Sequence, residues 1–264
     1  MRRPLVLLLL AAAGCGAPPL RIARPPKAGE PTLRVLTYNV NFGLAGDREG
    51  LNAIRAADGD LVLLQETTRR WEEAIRTDLA DLYPYMQFHH SGGAGGMAAL
   101  AKRPFEDGGV LPAESWFPAW IVRAQTELGT VQVLNIHLRP GFGENGGVVS
   151  GYFTTPRIRE KEIAAFAGRL DETLPTLVVG DFNEDEDGRA LKRLEANGFR
   201  TALPEFAPKA KTWRWPTSLI DLTGRFDHVV YDARLEPLSI EVLEEQGRSD
   251  HLPLLAVFTT ASGG

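Results

Sequence analysis

From Leu33 to about residue 260, apolar runs of strand length alternate with segments of helical period, and no fold without both a sheet and covering helices accommodates that texture. LRVLTYNV (33–40) and LVLLQE (61–66) have strand composition and bracket a short helix near 48–57. Trp71, Ile75 and Leu79 recur four apart, which predicts an amphipathic helix over 68–80. YMQFHH (within 84–90), GMAALAKR (96–103), WIVRAQTE (near 119–126) and VQVLNIHL (131–138) read as consecutive strands of a meander, punctuated by Gly and Pro. The stripe Ile163, Phe166, Ala167 and Leu170 predicts a helix over 156–171. TLVVG (176–180) reads as a buried strand, a helix near 188–196 stops by Gly198, and strands follow near 225–231, 237–243 and 253–259. The expectation is one α/β domain over residues 33–260, with strand pairing left open by the pattern.

The residues before it have a different texture. Arg2-Arg3 precede an apolar run from Leu5 to Ala13 and then Gly14-Cys15-Gly16, the layout of a secretory signal over 1–15, and nine apolar residues are too few to span a bilayer. Cys15 is the only cysteine of the 264-residue chain, which excludes a disulfide framework and any multi-cysteine metal site. Its setting resembles the lipobox of bacterial lipoproteins, with Ala12 where Leu is usual. That resemblance implies a lipidated Cys15 and a membrane-anchored protein facing the periplasm or cell exterior; plain cleavage near Ala13 would give a secreted one. Residues 16–32 hold five prolines and read as an extended, semi-rigid linker. With the leader removed, 27 basic residues face 34 acidic ones, a balance of −7. A chain of that charge is not a passive polyanion binder, so phosphate chemistry would require a localised device such as a metal ion.

Strongly polar groups stand where the apolar runs end. Asn39 lies in the first strand, Glu66 closes the second, and His137 interrupts an apolar strand with Asn135 on the same face. Asp181 and Asn183 follow TLVVG, Asp227-His228 break GRFDHVVY, and Asp250-His251 precede LPLLAVF. Singly, each has a plain account as a turn, a first helical turn or a satisfied core histidine. Their coincidence does not, because buried charges persist only when paired or metal-bound. Hard oxygen ligands without cysteine suit Mg2+, with Mn2+ or Ca2+ as alternatives. Asp beside Asn suits attack by water, and a histidine paired with a buried Asp suits stabilisation of phosphorane charge. Together the parts describe metal-assisted hydrolysis of a phosphate ester.

In order, LTYNVNFG (36–43), DLVLLQET (60–67), GGMAALAKRPF (95–105), LNIHLRP (134–140), VVGDFNED (178–185), TWRWP (212–216), GRFDHVVY (224–231) and RSDHLPLLAVF (248–258) resemble the endonuclease/exonuclease/phosphatase superfamily. This superfamily includes deoxyribonuclease I, AP endonucleases, neutral sphingomyelinases and inositol-polyphosphate phosphatases. The resemblance implies a four-layer α/β sandwich, two facing mixed β-sheets flanked by helices, and a monomer. It implies metal binding at Asn39, Glu66 and Asp250, and catalytic roles for His137, Asp181, Asn183, Asp227 and His251, with Asp227 paired to His251. Asn41 stands where AP endonucleases carry Asp. Either Asp181 or the Asp227–His251 pair could activate water.

The leading expectation is a divalent-metal-dependent phosphodiesterase acting outside the cytoplasm on nucleic acid or nucleotide diesters. Trp213 and Trp215 are candidates for base stacking. A lipid-headgroup phosphodiesterase, a small-molecule phosphatase and a non-catalytic tethered binding module stay open. The acidic run Glu184–Asp187 argues against long polyanions unless it faces away, and Arg139–Thr155 is expected to shape the substrate entrance.

Overall fold

The structure is a computed structural model that describes residues 20–141, 148–216, 221–244 and 247–262. The leader, including Cys15, lies outside the described residues, as does 142–147 of the expected entrance segment. In chain order the first strands are β1 (Leu33–Asn39), β2 (Leu61–Gln65), β3 (Tyr85–His89), β4 (Met97–Ala101), β5 (Phe105–Leu111), β6 (Ala119–Thr126) and β7 (Gly129–His137). They are followed by β8 (Thr176–Asp181), β9 (Arg200–Thr201), β10 (Trp213–Pro216), β11 (Asp221–Gly224), β12 (Asp227–Tyr231), β13 (Leu235–Val242) and β14 (Leu254–Thr260). The helices are α1 (Arg48–Ala57), α2 (Arg69–Leu79), α3 (Val148–Ala167), α4 (Arg189–Ala196) and α5 (Ala202–Phe206).

Two six-stranded mixed sheets form, in the orders β13-β14-β1-β2-β4-β3 and β5-β6-β7-β8-β12-β9. Among the described residues only β1–β2 and β7–β8 pair in parallel. Each parallel pair therefore presents two strand C-termini side by side, and the strand-end polar residues are found there.

The period-2 alternation of each strand divides its side chains between two cores. Val35, Leu63, Ala99, Trp120, Val133, Val179 and Val229 meet between the sheets. On the outer face of the first sheet, Leu36, Tyr38, Val62 and Leu100 pack against Leu51 and Ile54 of α1 and Trp71, Ile75 and Leu79 of α2. On the other side Leu134, Ile136 and Val178 pack against Ile163 and Phe166 of α3 and Leu191 and Leu194 of α4. This is the four-layer α/β sandwich. Local chemistry agrees with it: Asp47 caps α1 by accepting from Gly50 N–H (3.1 Å), and Thr68 caps α2 by accepting from Trp71 N–H (3.3 Å).

Two expectations are corrected, and one element was not anticipated. The four central strands do not form one meander, because β3 and β4 lie in the first sheet while β6 and β7 lie in the second; the chain crosses between β4 and β5. Helix α3 begins at Val148, inside the segment read as an entrance loop, and ends at Ala167; Pro156 lies within it, so its glycine- and proline-rich start concealed a helix. The β10–β11 hairpin lacked a clear strand pattern, and its residues are mostly exposed.

Residues 20–32 lie on the domain, with a turn at Ala28-Gly29. Arg24 N–H donates to Leu238 O (3.1 Å), Arg21 pairs with Glu205 and Glu236, and Thr259 Oγ1 donates to Pro31 O (3.0 Å). They sit at the end of the sheet where β1 begins. Among the described residues no helix is long and apolar enough to cross a membrane.

Candidate active site

Strand register assembles the site. His137 of β7 is the register partner of Asp181 of β8, and Asp181 is the partner of Asp227 of β12, so three polar residues stand in a row across adjacent strands. All three follow the alternation of their strands onto the face between the sheets. In the opposite sheet Asn39 is level with Gln65, and Glu66 follows directly. Below them Gln65 Nε2 donates to Asn135 Oδ1 (2.7 Å) and Thr37 Oγ1 (3.1 Å), and Asn135 Nδ2 donates to Leu64 O (3.1 Å). This buried amide pair ties the two sheets together at the floor of the site.

The backbone takes sharp turns on leaving these strands. Asn41, Glu66 and Asn183 have φ of 59°, 62° and 52°, a left-handed conformation that is uncommon for a residue with a Cβ. Such strain of order 1–3 kcal/mol persists where surrounding contacts over-determine it. Here Glu66 accepts from Phe42 N–H (3.1 Å), Asn183 N–H donates to Asp181 Oδ1 (2.8 Å), and Trp71 Nε1 on α2 donates to Asn41 O (3.1 Å). Gly180 precedes Asp181 at φ 131°, and a Cβ there would lie 2.1 Å from Ile136 O, so only glycine fits.

One carboxylate oxygen is the hub. Asp181 Oδ2 accepts from Asn39 Nδ2 (3.1 Å), and lies 3.4 Å from His137 Nε2 and 3.6 Å from His251 Nε2. Asn39 Nδ2 also donates to Glu66 Oε1 (3.0 Å), which is 3.9 Å from His137 Nε2. His137 is held by Nδ1, 3.2 Å from Ala94 O, and by Phe117, stacked on it with ring centroids 4.2 Å apart. Asn183 spends its Nδ2 on Leu138 O (2.9 Å), which leaves its carbonyl oxygen to the site.

His251 sits between two acids. Its Nδ1–H donates to both oxygens of Asp227 (2.9 and 3.1 Å), while Nε2 faces Asp181. Burial pushes the Asp227 carboxyl up, to about 6, with the adjacent imidazole pulling against that. Burial by itself would lower His251, but the charges of Asp227 and Asp181 outweigh it and raise the imidazole to about 10. The pair is an imidazolium–carboxylate at neutral pH. Asp227 is steadied further by Thr212 Oγ1, which accepts from its backbone N–H (3.0 Å), and His251 by Ser249 Oγ, which accepts from its N–H (3.2 Å).

The structure thus brings Asn39, Glu66, His137, Asp181, Asn183, Asp227 and His251 into one linked group. Asp250 stands to the side, accepting from Asn41 Nδ2 (3.1 Å) and Trp213 Nε1 (2.9 Å), and joins the others through the Asn41 N–H to Asn39 Oδ1 bond (3.1 Å). Sequence reading missed Phe117 on His137 and the supporting Thr212 and Ser249, and it gave Trp213 a base-stacking role rather than its bond to Asp250. Thr212, Trp213 and Ser249 lay in quoted motifs, whereas Phe117 had no signal because it arrives from the β5–β6 connection.

The donor chemistry fits a hard cation. Four carboxylates gather, and among the described residues their ion partners are histidines alone, with no Lys or Arg within 4.0 Å. Atoms of Asp181, Asp227 and His251 all lie within 4.8 Å of one another, but there the imidazolium already offsets acid charge. As an ion partner Glu66 has only His137 Nε2, at 3.9 Å, and Asp250 has none among the described residues, so their carboxylate oxygens are of the hard type that suits a divalent ion.

A four-layer sandwich carrying an acid–imidazole–amide cluster at the ends of its parallel strands defines the class of protein. The family model of the Endonuclease/Exonuclease/phosphatase family matches residues 36–251, and the chain belongs to that family. By its name the family comprises enzymes that cleave phosphoester bonds. Similar solved structures include D. rerio TDP2 complexed with a single-strand DNA product (17% identity, TM-score 0.70, covering 87% of this chain and 99% of that one). An endonuclease/exonuclease/phosphatase from Beutenbergia cavernae is 19% identical, with TM-score 0.69 and coverage of 88% and 72%. An AP endonuclease from Archaeoglobus fulgidus is 20% identical, with TM-score 0.65 and coverage of 86% and 99%. At these identities the likeness is one of fold. No curated protein matches the chain in a sequence comparison.

Proposed function

We propose that this chain is a divalent-metal-dependent phosphodiesterase of nuclease type. The observation that carries this is the crowding of Asn39, His137 and His251 around Asp181 Oδ2, beside a carboxylate set with no Lys or Arg within 4.0 Å among the described residues. Asp181 is placed to take a proton from an attacking water, and the free carbonyl of Asn183 to orient that water. His251, kept protonated by Asp227, donates to a phosphoryl oxygen as negative charge builds. Glu66, Asp250 and Asn39 would hold the metal, which supplies Lewis-acid stabilisation of the phosphate; Mg2+ suits these ligands.

The substrate reading rests on the rim. Trp213 and Trp215 stack with centroids 6.4 Å apart at 18°, and Trp215 is 52% exposed beside a cleft of about 540 Å³ that Arg214, Arg248 and Asp250 also line. An exposed aromatic platform with arginines favours a base next to a phosphate. The acidic run does not oppose this, because Glu184 is buried against Arg159 while Asp185 and Glu186 engage Arg225. TDP2 bound to a DNA product shares the fold.

Export and anchoring through Cys15 are part of the same proposal. The described chain enters at the start of β1, roughly 20 Å along that strand from Asn39. A tether there would hold the site away from the membrane, which favours soluble substrates over headgroups in the same bilayer.

The test is hydrolysis by residues 16–264 of bis-p-nitrophenyl phosphate, single-stranded DNA, plasmid, RNA, sphingomyelin and inositol phosphates, with Mg2+ or Mn2+ and with EDTA. Metal-dependent cleavage of nucleic acid is expected. Turnover of nothing, or activity surviving EDTA, overturns the metallophosphodiesterase reading, and a ranking with sphingomyelin first overturns the substrate assignment. Palmitate incorporation unaffected by Cys15→Ser would remove the anchor.

A further inference from the structure

The wall of the site beyond His137 carries a cation with no task in the reaction above. The β7 ladder continues one step past His137, with Leu138 N–H donating to Asp181 O (2.8 Å), so Arg139 falls two residues on and shares the His137 face. Consecutive aromatic residues cover the two: Phe117 stacks on His137, and Trp116 lies against the Arg139 guanidinium, 4.7 Å from Cζ to the ring centroid.

Arg139 is 5% exposed, yet among the described residues no side chain or carbonyl accepts from its guanidinium, Nε is buried without a partner, and no carboxylate oxygen lies within 4.0 Å. The nearby acid, Glu162, is turned to the Arg139 backbone N–H (3.1 Å) and the Ser115 hydroxyl. Arg159 makes the contrast: equally buried, it donates to Glu184 Oε2 (3.1 Å), Arg139 O (3.1 Å) and Thr155 Oγ1 (3.2 Å). A buried guanidinium with open donors is costly unless an anion completes it, and its planar fork matches phosphate.

We propose that Arg139 is a specificity-determining residue that binds a second phosphate of the substrate, adjacent to the one being cleaved; this rests on the phosphodiesterase reading. The spacing between the two positions is built in, because Leu138 O is held by Asn183 Nδ2 (2.9 Å), which ties the main chain carrying Arg139 to the group that orients water. The preferred substrate class is then a diester within a nucleotide chain, with a further phosphate one unit away, rather than a lone diester.

The experiment compares bis-p-nitrophenyl phosphate, dithymidine monophosphate and the same dinucleotide carrying terminal phosphates, using the mature chain with Mg2+. Wild type should prefer the terminally phosphorylated dinucleotide. Arg139→Gln should lower kcat/KM for it by about 10- to 100-fold, mainly through KM, as expected for loss of a charge-assisted hydrogen bond. The same variant should leave bis-p-nitrophenyl phosphate within about twofold, and Arg139→Lys should recover part of the preference. A uniform fall on all three substrates, or no change on any, overturns the proposal. An independent readout is the thermal midpoint in EDTA with inorganic pyrophosphate, which should rise for wild type and not for Arg139→Gln. An Arg139-dependent rise in a chain that hydrolyses nothing would refute the phosphodiesterase reading while keeping the anion subsite, and no rise in wild type would overturn the subsite.

Discussion

Asp181 and Asp227 stand directly opposite each other across the antiparallel β8–β12 ladder, both 1% exposed, with the His251 imidazolium bridging them. Two buried carboxylates in register repel one another, so the arrangement trades stability for reactivity. Asp181→Asn should lower kcat by about 10³-fold or more. In EDTA its thermal midpoint should be no lower than that of wild type. A fall in midpoint alongside the lost activity would show Asp181 to be structural.

Asp227→Asn removes the stronger partner of His251. Breaking a buried ion pair typically costs about 3–5 kcal/mol, and loss of the group that orients a catalytic histidine lowers kcat by up to about 10⁴-fold. Urea denaturation and steady-state kinetics should show both. A variant with wild-type rate at saturating substrate would remove His251 from the reaction.

Metal binding should be visible without turnover. A ligand at 100 times its Kd stabilises the folded state by about 2.7 kcal/mol, so Mg2+ should raise the thermal midpoint of wild type. Glu66→Ala should abolish the increment. Equal increments in both proteins would place the ion elsewhere.

His228, beside Asp227 but on the opposite face of β12, supplies a pH-dependent term. Burial pushes its imidazole down to about 4, although Nε2–H donates to Glu184 O (2.8 Å). The unfolded chain takes up this proton near pH 6.5 and the folded one resists until about 4, so stability falls as pH drops through that window. Unfolding followed from pH 7 to 4 should show a shallower loss for His228→Asn than for wild type. Parallel curves would assign the acid sensitivity to other groups.

Trp215→Ala should weaken single-stranded DNA by about 1–3 kcal/mol, the usual worth of one stacked base, while sparing bis-p-nitrophenyl phosphate. An unchanged KM for DNA would leave the Trp215 cleft outside the binding path.

Much of the frame was legible because burial writes itself into local periodicity. Trp71, Ile75 and Leu79 announced α2, and the breaks after LVLLQ and TLVVG announced strand ends. The start of α3 was not legible, since Gly151 and Pro156 both oppose a helix in local propensity. The run Glu184–Asp187 read as repulsive charge, yet Glu184 is a buried cap for α4, accepting from Ala190 and Leu191 N–H, because Arg159 reaches it from α3.

The amino-acid sequence by itself determined which residues share a strand face, as His137 and Asn135 do, for side-chain direction along a strand follows from period two. It also determined where each strand stops and a polar group begins. Only the tertiary structure decided which ends meet: that His137, Asp181 and Asp227 fall level across three strands, that His251 spans two acids, and that the Arg139 guanidinium has no acceptor among the described residues. Register and long-range pairing are set by the sum of packing across both cores, and no local pattern in the chain records that sum.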